Sequence, residues 1–184
     1  MAELKTYDEL YALIIQCGVH PEFGAVGEGW GIEQNPHELA AFLVRMQELG
    51  VQSALEIGTG YKGGLSRFLA QDMGWLVTSI DINAYHHAFE RVHYIVSQSR
   101  ILLNEPFDLV FIDGDHSYAS VIADFEHYEK FAIKVIAFHD IEGLRNCEGV
   151  KQLWDELYSN PDPSLNARSV YHVVNPAGIG WIEL

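Results

Sequence analysis

The segment Asp113-Gly114-Asp115-His116 gathers two carboxylates and an imidazole, and His139-Asp140 repeats the pairing further along. Carboxylate oxygens are hard donors that suit Mg²⁺, Ca²⁺ or Mn²⁺. A divalent ion held by such groups can grip a pair of acceptor hydroxyls and lower their pKa. The same residues also read as a turn with capping acids, with Ser117 heading the next helix and His139 bonded to a backbone carbonyl. Which reading holds depends on whether the fold brings the two segments together.

A second cluster lies earlier, in Ala54-Leu55-Glu56-Ile57-Gly58-Thr59-Gly60-Tyr61-Lys62-Gly63-Gly64. Glycine lets a backbone approach a ligand and adopt positive φ, so a cofactor can lie across the turn formed by Gly58, Thr59, Gly60 and Gly64. The spacing Gly58-Thr59-Gly60-Tyr61-Lys62-Gly63 formally satisfies a dinucleotide fingerprint. Glu56 argues against that ligand, because a carboxylate there repels a pyrophosphate and instead suits a cationic amino group. Asp81, followed by Ile82, can accept from both hydroxyls of a ribose. Ser97-Gln98-Ser99 offers polar contacts to an adenine edge.

Positioning these residues requires strands that end at a common edge, and the chain has the pattern for it. Apolar runs at 54–57, 75–82, 92–96, 107–112 and 135–138 alternate with helical patterns at 65–73, 84–91, around Tyr118, Val121, Ile122 and Phe125, and around Val150, Leu153, Trp154 and Leu157. This predicts an α/β, Rossmann-like three-layer sandwich whose mostly parallel sheet is covered on both faces. Strands at 169–174 and 178–183, joined at Asn175-Pro176-Ala177, predict a closing antiparallel hairpin. Helices at 7–17 and from Asn35-Pro36-His37-Glu38 to Gly50 precede the first strand. The aromatic, glycine-rich stretch 21–31 reads as a lid, giving an N-terminal segment 1–34 on a single structural domain 35–184.

Composition narrows the function. The 184 residues suit one domain, and the net charge of −15 disfavours nucleic acid. No long uncharged apolar run is present, so no membrane partner is expected. The N-terminus lacks secretory or transit features, which predicts a cytoplasmic address. Cys17 and Cys147 lack metal or disulfide spacing and read as core or surface thiols. His20, His37, His86, His87, His93, His127 and His172 show no ligand spacing. Trp30, Tyr61 and Trp181 are candidates for a pocket wall or for core.

Glu56-Ile57-Gly58-Thr59-Gly60 with Asp81 resembles motifs I and II of class I S-adenosylmethionine-dependent methyltransferases. The run from Phe107 to Tyr118 resembles small-molecule families that include catechol O-methyltransferase-like and cephalosporin hydroxylase-like members. The resemblance spans roughly Gln34 to the C-terminus. It implies a seven-stranded sheet with an antiparallel C-terminal strand, S-adenosylmethionine as cofactor and a small-molecule acceptor methylated on oxygen. Glu56, Gly58, Thr59, Gly60, Gly64, Asp81, Ile82, Ser97, Gln98 and Asp113 are then the cofactor-binding candidates. In the metal-dependent relatives an acid after the fourth strand and an acidic pair after the fifth hold the ion. Asp113 and Asp140 match those positions, and His139 replaces a carboxylate. His116 stands where catechol-type enzymes carry a lysine base, so Asp113 and His116 are the catalytic candidates. The short cap points to a small acceptor or to a site completed by another copy, a homo-oligomer. Three competing readings are a glycosyltransferase using Asp113-Gly114-Asp115 as a D-x-D site, a nicotinamide dinucleotide protein, and a binding protein that keeps the cofactor pocket without chemistry.

Overall fold

The computed structural model describes residues 4–19, 29–60, 62–84, 89–98, 100–159, 169–174 and 176–184. The lid expected at 21–31 lies mostly outside them, as do Tyr61, His20, His86, His87, Ser99, Asn175, residues 85–88 of the helix expected near 84–91 and the loop beginning at Asn160; residues 89–91 of that expected helix form a turn.

Helices α1 (Tyr7–Cys17) and α2 (Pro36–Glu48) precede the sheet. Thr6 and Glu9 form a reciprocal cap at the start of α1, and Asn35 caps α2 by accepting the His37 amide. Then follow β1 (Ser53–Ile57), α3 (Gly64–Gln71), β2 (Leu76–Asp81), β3 (Val92–Val96), β4 (Phe107–Ile112), α4 (Tyr118–Tyr128), β5 (Ala132–His139), α5 (Glu148–Ser159), β6 (Ser169–Val173) and β7 (Ile179–Glu183).

The seven strands lie in the order β3-β2-β1-β4-β5-β7-β6. The first five are parallel, and β7 runs antiparallel to both β5 and β6. The expected closing hairpin is therefore present, with its second strand inserted beside β5. Because the chain winds outward from β1 one way and from β4 the other, the ends of β1 and β4 bound the crevice where α/β sheets bind ligands.

Side chains alternate across the sheet, which explains the continuous apolar runs. Ala54, Leu109, Phe111, Val135 and Ala137 join a core with α1, α2 and α3. Leu55, Ile57, Val110, Ile112, Ile136 and Phe138 join the opposite core with α4 and α5. Both faces are covered, so the central strands β1, β4 and β5 are apolar on both sides.

Buried polar links fasten the hairpin to α2. Arg45 pairs with both oxygens of Glu183 at 2.8 and 2.9 Å. Glu38, which its position at the start of α2 marks as a helix-capping acid, instead accepts the Gly178 amide at 2.8 Å from a fully buried site. Tertiary structure has taken over a residue whose local pattern pointed elsewhere.

Candidate functional site

The glycine turn leaves β1 beside the loop that leaves β4. Gly58 has φ 91°, and a Cβ there would overlap the Asp113 carbonyl. Only glycine permits this contact, and it draws Asp113 to the edge of the turn. On the other side, the Asp81 carboxylate accepts the Thr59 amide at 2.9 Å and the Asn83 amide at 2.8 Å. Strand ends of β1, β2 and β4 thus share one rim.

That rim opens on a cavity of about 770 Å³. One side carries Gly58, Gly60, Asp81, Ile82, Ser97 and Gln98, and the other carries Asp113, Asp115, His116, His139 and Asp140. Most of the residues expected from sequence to bind a cofactor therefore line the same hollow as those expected to hold an ion.

Three expected cofactor contacts stand back from it. Glu56 is buried on the α3 side of β1, where its carboxylate accepts the Ser79 hydroxyl, itself bonded to Thr59 Oγ1. Burial pushes the Glu56 carboxyl up to about 8. The residue braces the turn from behind and is not among the residues lining the cavity. Thr59 acts through its backbone and its bond to Ser79. Gly64 starts α3 against Gly31 and Ile32, where a Cβ would come within 2.6 Å of the Ile32 nitrogen.

The last contact reveals residues that sequence reasoning missed. The stretch 29–34 runs beside the end of α1, with Trp30 donating to the Cys17 carbonyl at 2.8 Å and Gly31 to that of Gly18 at 3.0 Å. It carries Glu33 to the cavity wall, its carboxylate so near Gly60 that a Cβ there would lie 2.6 Å from it. Its neighbour Gln34 donates to Asp113 Oδ2 at 2.7 Å. Trp30, by contrast, stacks under the Arg67 guanidinium, and Trp181 belongs to the core.

The acidic side is tightly knit. His139 Nδ1 lies 3.3 Å from Asp113 Oδ1 and 3.4 Å from Asp140 Oδ2. His116 Nε2 lies 3.4 Å from Asp140 and 3.6 Å from Asp113. Asp140 adopts φ 61°, a left-handed conformation that costs energy outside glycine and is found at functional sites. Burial opposes ionisation of Asp113, but the His139 and His116 rings hold its carboxyl well below the usual range. Burial likewise opposes charge on His139, yet Asp113 and Asp140 hold its pKa well above the histidine value. The Asp113 carboxylate also raises that of His116. On the far side of the His116 ring, Cys147 Sγ lies 3.1 Å from Nδ1, so this thiol belongs to the site and not merely to the core. Asp115 is exposed and accepts the Ser117 amide at 2.8 Å, the capping role foreseen as an alternative.

The donor set Asp113, His139 and Asp140 fits a divalent ion. Its ligand atoms converge within 4.8 Å of one another, and His139 Nδ1 faces both carboxylates.

Residues 55–141 match a family model described as a methyltransferase domain. That match covers 87 of the 184 residues and runs from β1 to the loop after β5 of the Rossmann-like sheet. The domain is similar to the MycE methyltransferase of the mycinamycin biosynthetic pathway, solved with Mg, S-adenosylhomocysteine and mycinamycin VI. That likeness has a TM-score of 0.63 at 16% identity and covers 97% of this chain and 54% of MycE. The S-adenosylhomocysteine-bound methyltransferase PaMTH1 of Podospora anserina gives 0.57 at 16% identity, covering 78% of this chain and 76% of that one. An O-methyltransferase of Bacillus cereus, also with S-adenosylhomocysteine, gives 0.52 at 18% identity over 77% and 78%. The chain spans about half the length of MycE, and at these identities the likeness is one of fold. No protein of curated function matches the sequence.

Proposed function

We propose that the chain binds S-adenosylmethionine along the Gly58–Gly60 turn and transfers its methyl group to an oxygen of a small-molecule acceptor. What carries this reading is the placement of Asp81 on one wall of a single cleft and Asp113, His116, His139 and Asp140 on the other. Asp81 accepts from the ribose hydroxyls. Ile82, Ser97 and Gln98 face the adenine, and Glu33, close above Gly60, is placed to accept from the amino group of the methionine portion. S-adenosylmethionine supplies an activated methyl on sulfur, so the protein must align the acceptor and remove its proton.

His116 takes that proton at Nε2, with Cys147 beside Nδ1 to fix the ring. Burial and the Asp140 carboxylate push the Cys147 thiol up to about 12, which suits a neutral positioning group and not a nucleophile. Asp113, His139 and Asp140 would hold a divalent ion, which lowers the pKa of a bound hydroxyl. We assign the protein to the cytoplasm, with neither nucleic acid nor membrane as partner. In support, the net charge is −15, and among the described residues no helix is long and apolar enough to cross a membrane. A second copy completing the short cap belongs to the same reading.

The test is transfer of label from S-adenosylmethionine to a panel of catechols and other hydroxylated small molecules, with and without divalent ions. Labelled product supports the reading. Cofactor binding with no transfer to any acceptor would instead support the binding-protein alternative.

A further inference from the structure

The likeness to a Mg-bound structure leaves one feature of this chain unaccounted for, namely an imidazole between the two carboxylates. His139 is 4% exposed, and its Nδ1 lies 3.3 Å from each oxygen of Asp113 and 3.4 Å from Asp140 Oδ2. Around an ion bound at about 2.1 Å, neighbouring donor atoms stand roughly 3.0–3.4 Å apart. The nitrogen therefore stands at donor spacing from both carboxylates, and the three ligand atoms all lie within 4.8 Å of one another. Gln34 holds the Asp113 carboxylate through Oδ2, and the left-handed backbone at Asp140 turns that residue back toward the strand end. Such supports orient the donors toward the site, as outer contacts do around bound metals.

Donor type then decides the ion. Mg²⁺ favours oxygen and keeps its waters, whereas imidazole favours iron, cobalt and zinc, which bind nitrogen more tightly in the usual divalent order. We propose that Asp113, His139 and Asp140 form a mixed nitrogen–oxygen site that takes a divalent first-row transition ion of the Fe²⁺, Co²⁺ or Zn²⁺ kind in preference to Mg²⁺, with His139 as the selecting residue. The inference rests on reading the cleft as a metal-assisted methyl-transfer site, and it names that site's ion.

The test titrates Co²⁺ into metal-free protein, follows visible absorption, and then adds Zn²⁺ or Mg²⁺ as competitor. One equivalent of Co²⁺ binds, Zn²⁺ displaces it, and a large excess of Mg²⁺ does not. His139→Asp, which restores an all-oxygen set, lowers Co²⁺ affinity by about 10- to 100-fold and lets Mg²⁺ compete. His139→Asn, which adds no buried charge, provides the same loss of Co²⁺ if the aspartate variant does not fold. Mg²⁺ competing with the wild type as well as Zn²⁺ does, or no Co²⁺ bound, overturns the proposal. S-adenosylhomocysteine binding is measured on the same samples. Its absence with Co²⁺ bound removes the methyl-transfer reading alone, and its presence without Co²⁺ removes the metal assignment alone.

Discussion

Asp81 Oδ2 accepts the Thr59 amide at 2.9 Å, so the carboxylate proposed to receive the cofactor's ribose also holds the glycine turn that cradles it. Its other oxygen accepts the Asn83 amide. Asp81→Ala should weaken S-adenosylhomocysteine binding by about 1–3 kcal/mol, through a lost acceptor and a loosened turn together. Titration calorimetry checks this, and an unchanged Kd would remove Asp81 from the cofactor site.

Gly58 and Gly74 make a matched pair. Both have positive φ, at 91° and 72°, but a Cβ at Gly58 would run into the Asp113 carbonyl while one at Gly74 meets nothing within 4 Å. Gly74→Ala should therefore cost only the left-handed strain, about 1–2 kcal/mol. Gly58→Ala should cost about 3 kcal/mol or more, since overpacking against backbone adds to strain. Urea unfolding of the two variants gives the comparison, and equal losses would mean that the β1 and β4 loops do not touch.

Glu56 predicts a pH dependence. Burial raises its folded pKa to about 8 from the ordinary 4.5, so folding favours the protonated form. The stability this contributes is fully present below pH 4.5 and is lost as pH rises through about 8. Glu56→Gln mimics the neutral acid and should gain on the wild type as pH climbs across that window. Thermal unfolding from pH 5 to 8.5 measures the gap, and a gap that stays constant would show that Glu56 does not titrate there.

His116→Ala should reduce turnover by about 10²- to 10⁴-fold at saturating cofactor, the usual contribution of a general base, while leaving S-adenosylhomocysteine affinity nearly unchanged. Kinetics with an acceptor found in the panel would test it. Intact turnover would place the proton acceptor elsewhere.

The strands were legible because burial on both faces leaves continuous apolar runs, and 92–96 and 107–112 fall on β3 and β4. The Asn35-Pro36 helix start was legible because capping is local chemistry. Glu33, Gln34 and Cys147 were not. Glu33 and Cys147 reach the cavity, and Gln34 reaches Asp113, through the path of the 29–34 stretch along α1 and through the turn before α5, and neither path leaves a local pattern. Glu56 shows the converse case. Its place two residues before Gly58 is plain in the sequence, but strand alternation, which turns it toward Ser66 and Ser79 and away from the cleft, becomes decisive only once the sheet is assembled. His139 was visible as a departure from the acidic pair, whereas its spacing from both carboxylates required the fold.

Equilibrium dialysis of S-adenosylmethionine against the purified protein is the most direct measurement of the central claim. One nucleoside should be retained per chain, and retention should fall sharply in Asp81→Ala. Well-folded wild-type protein that retains none at saturating cofactor would contradict the account.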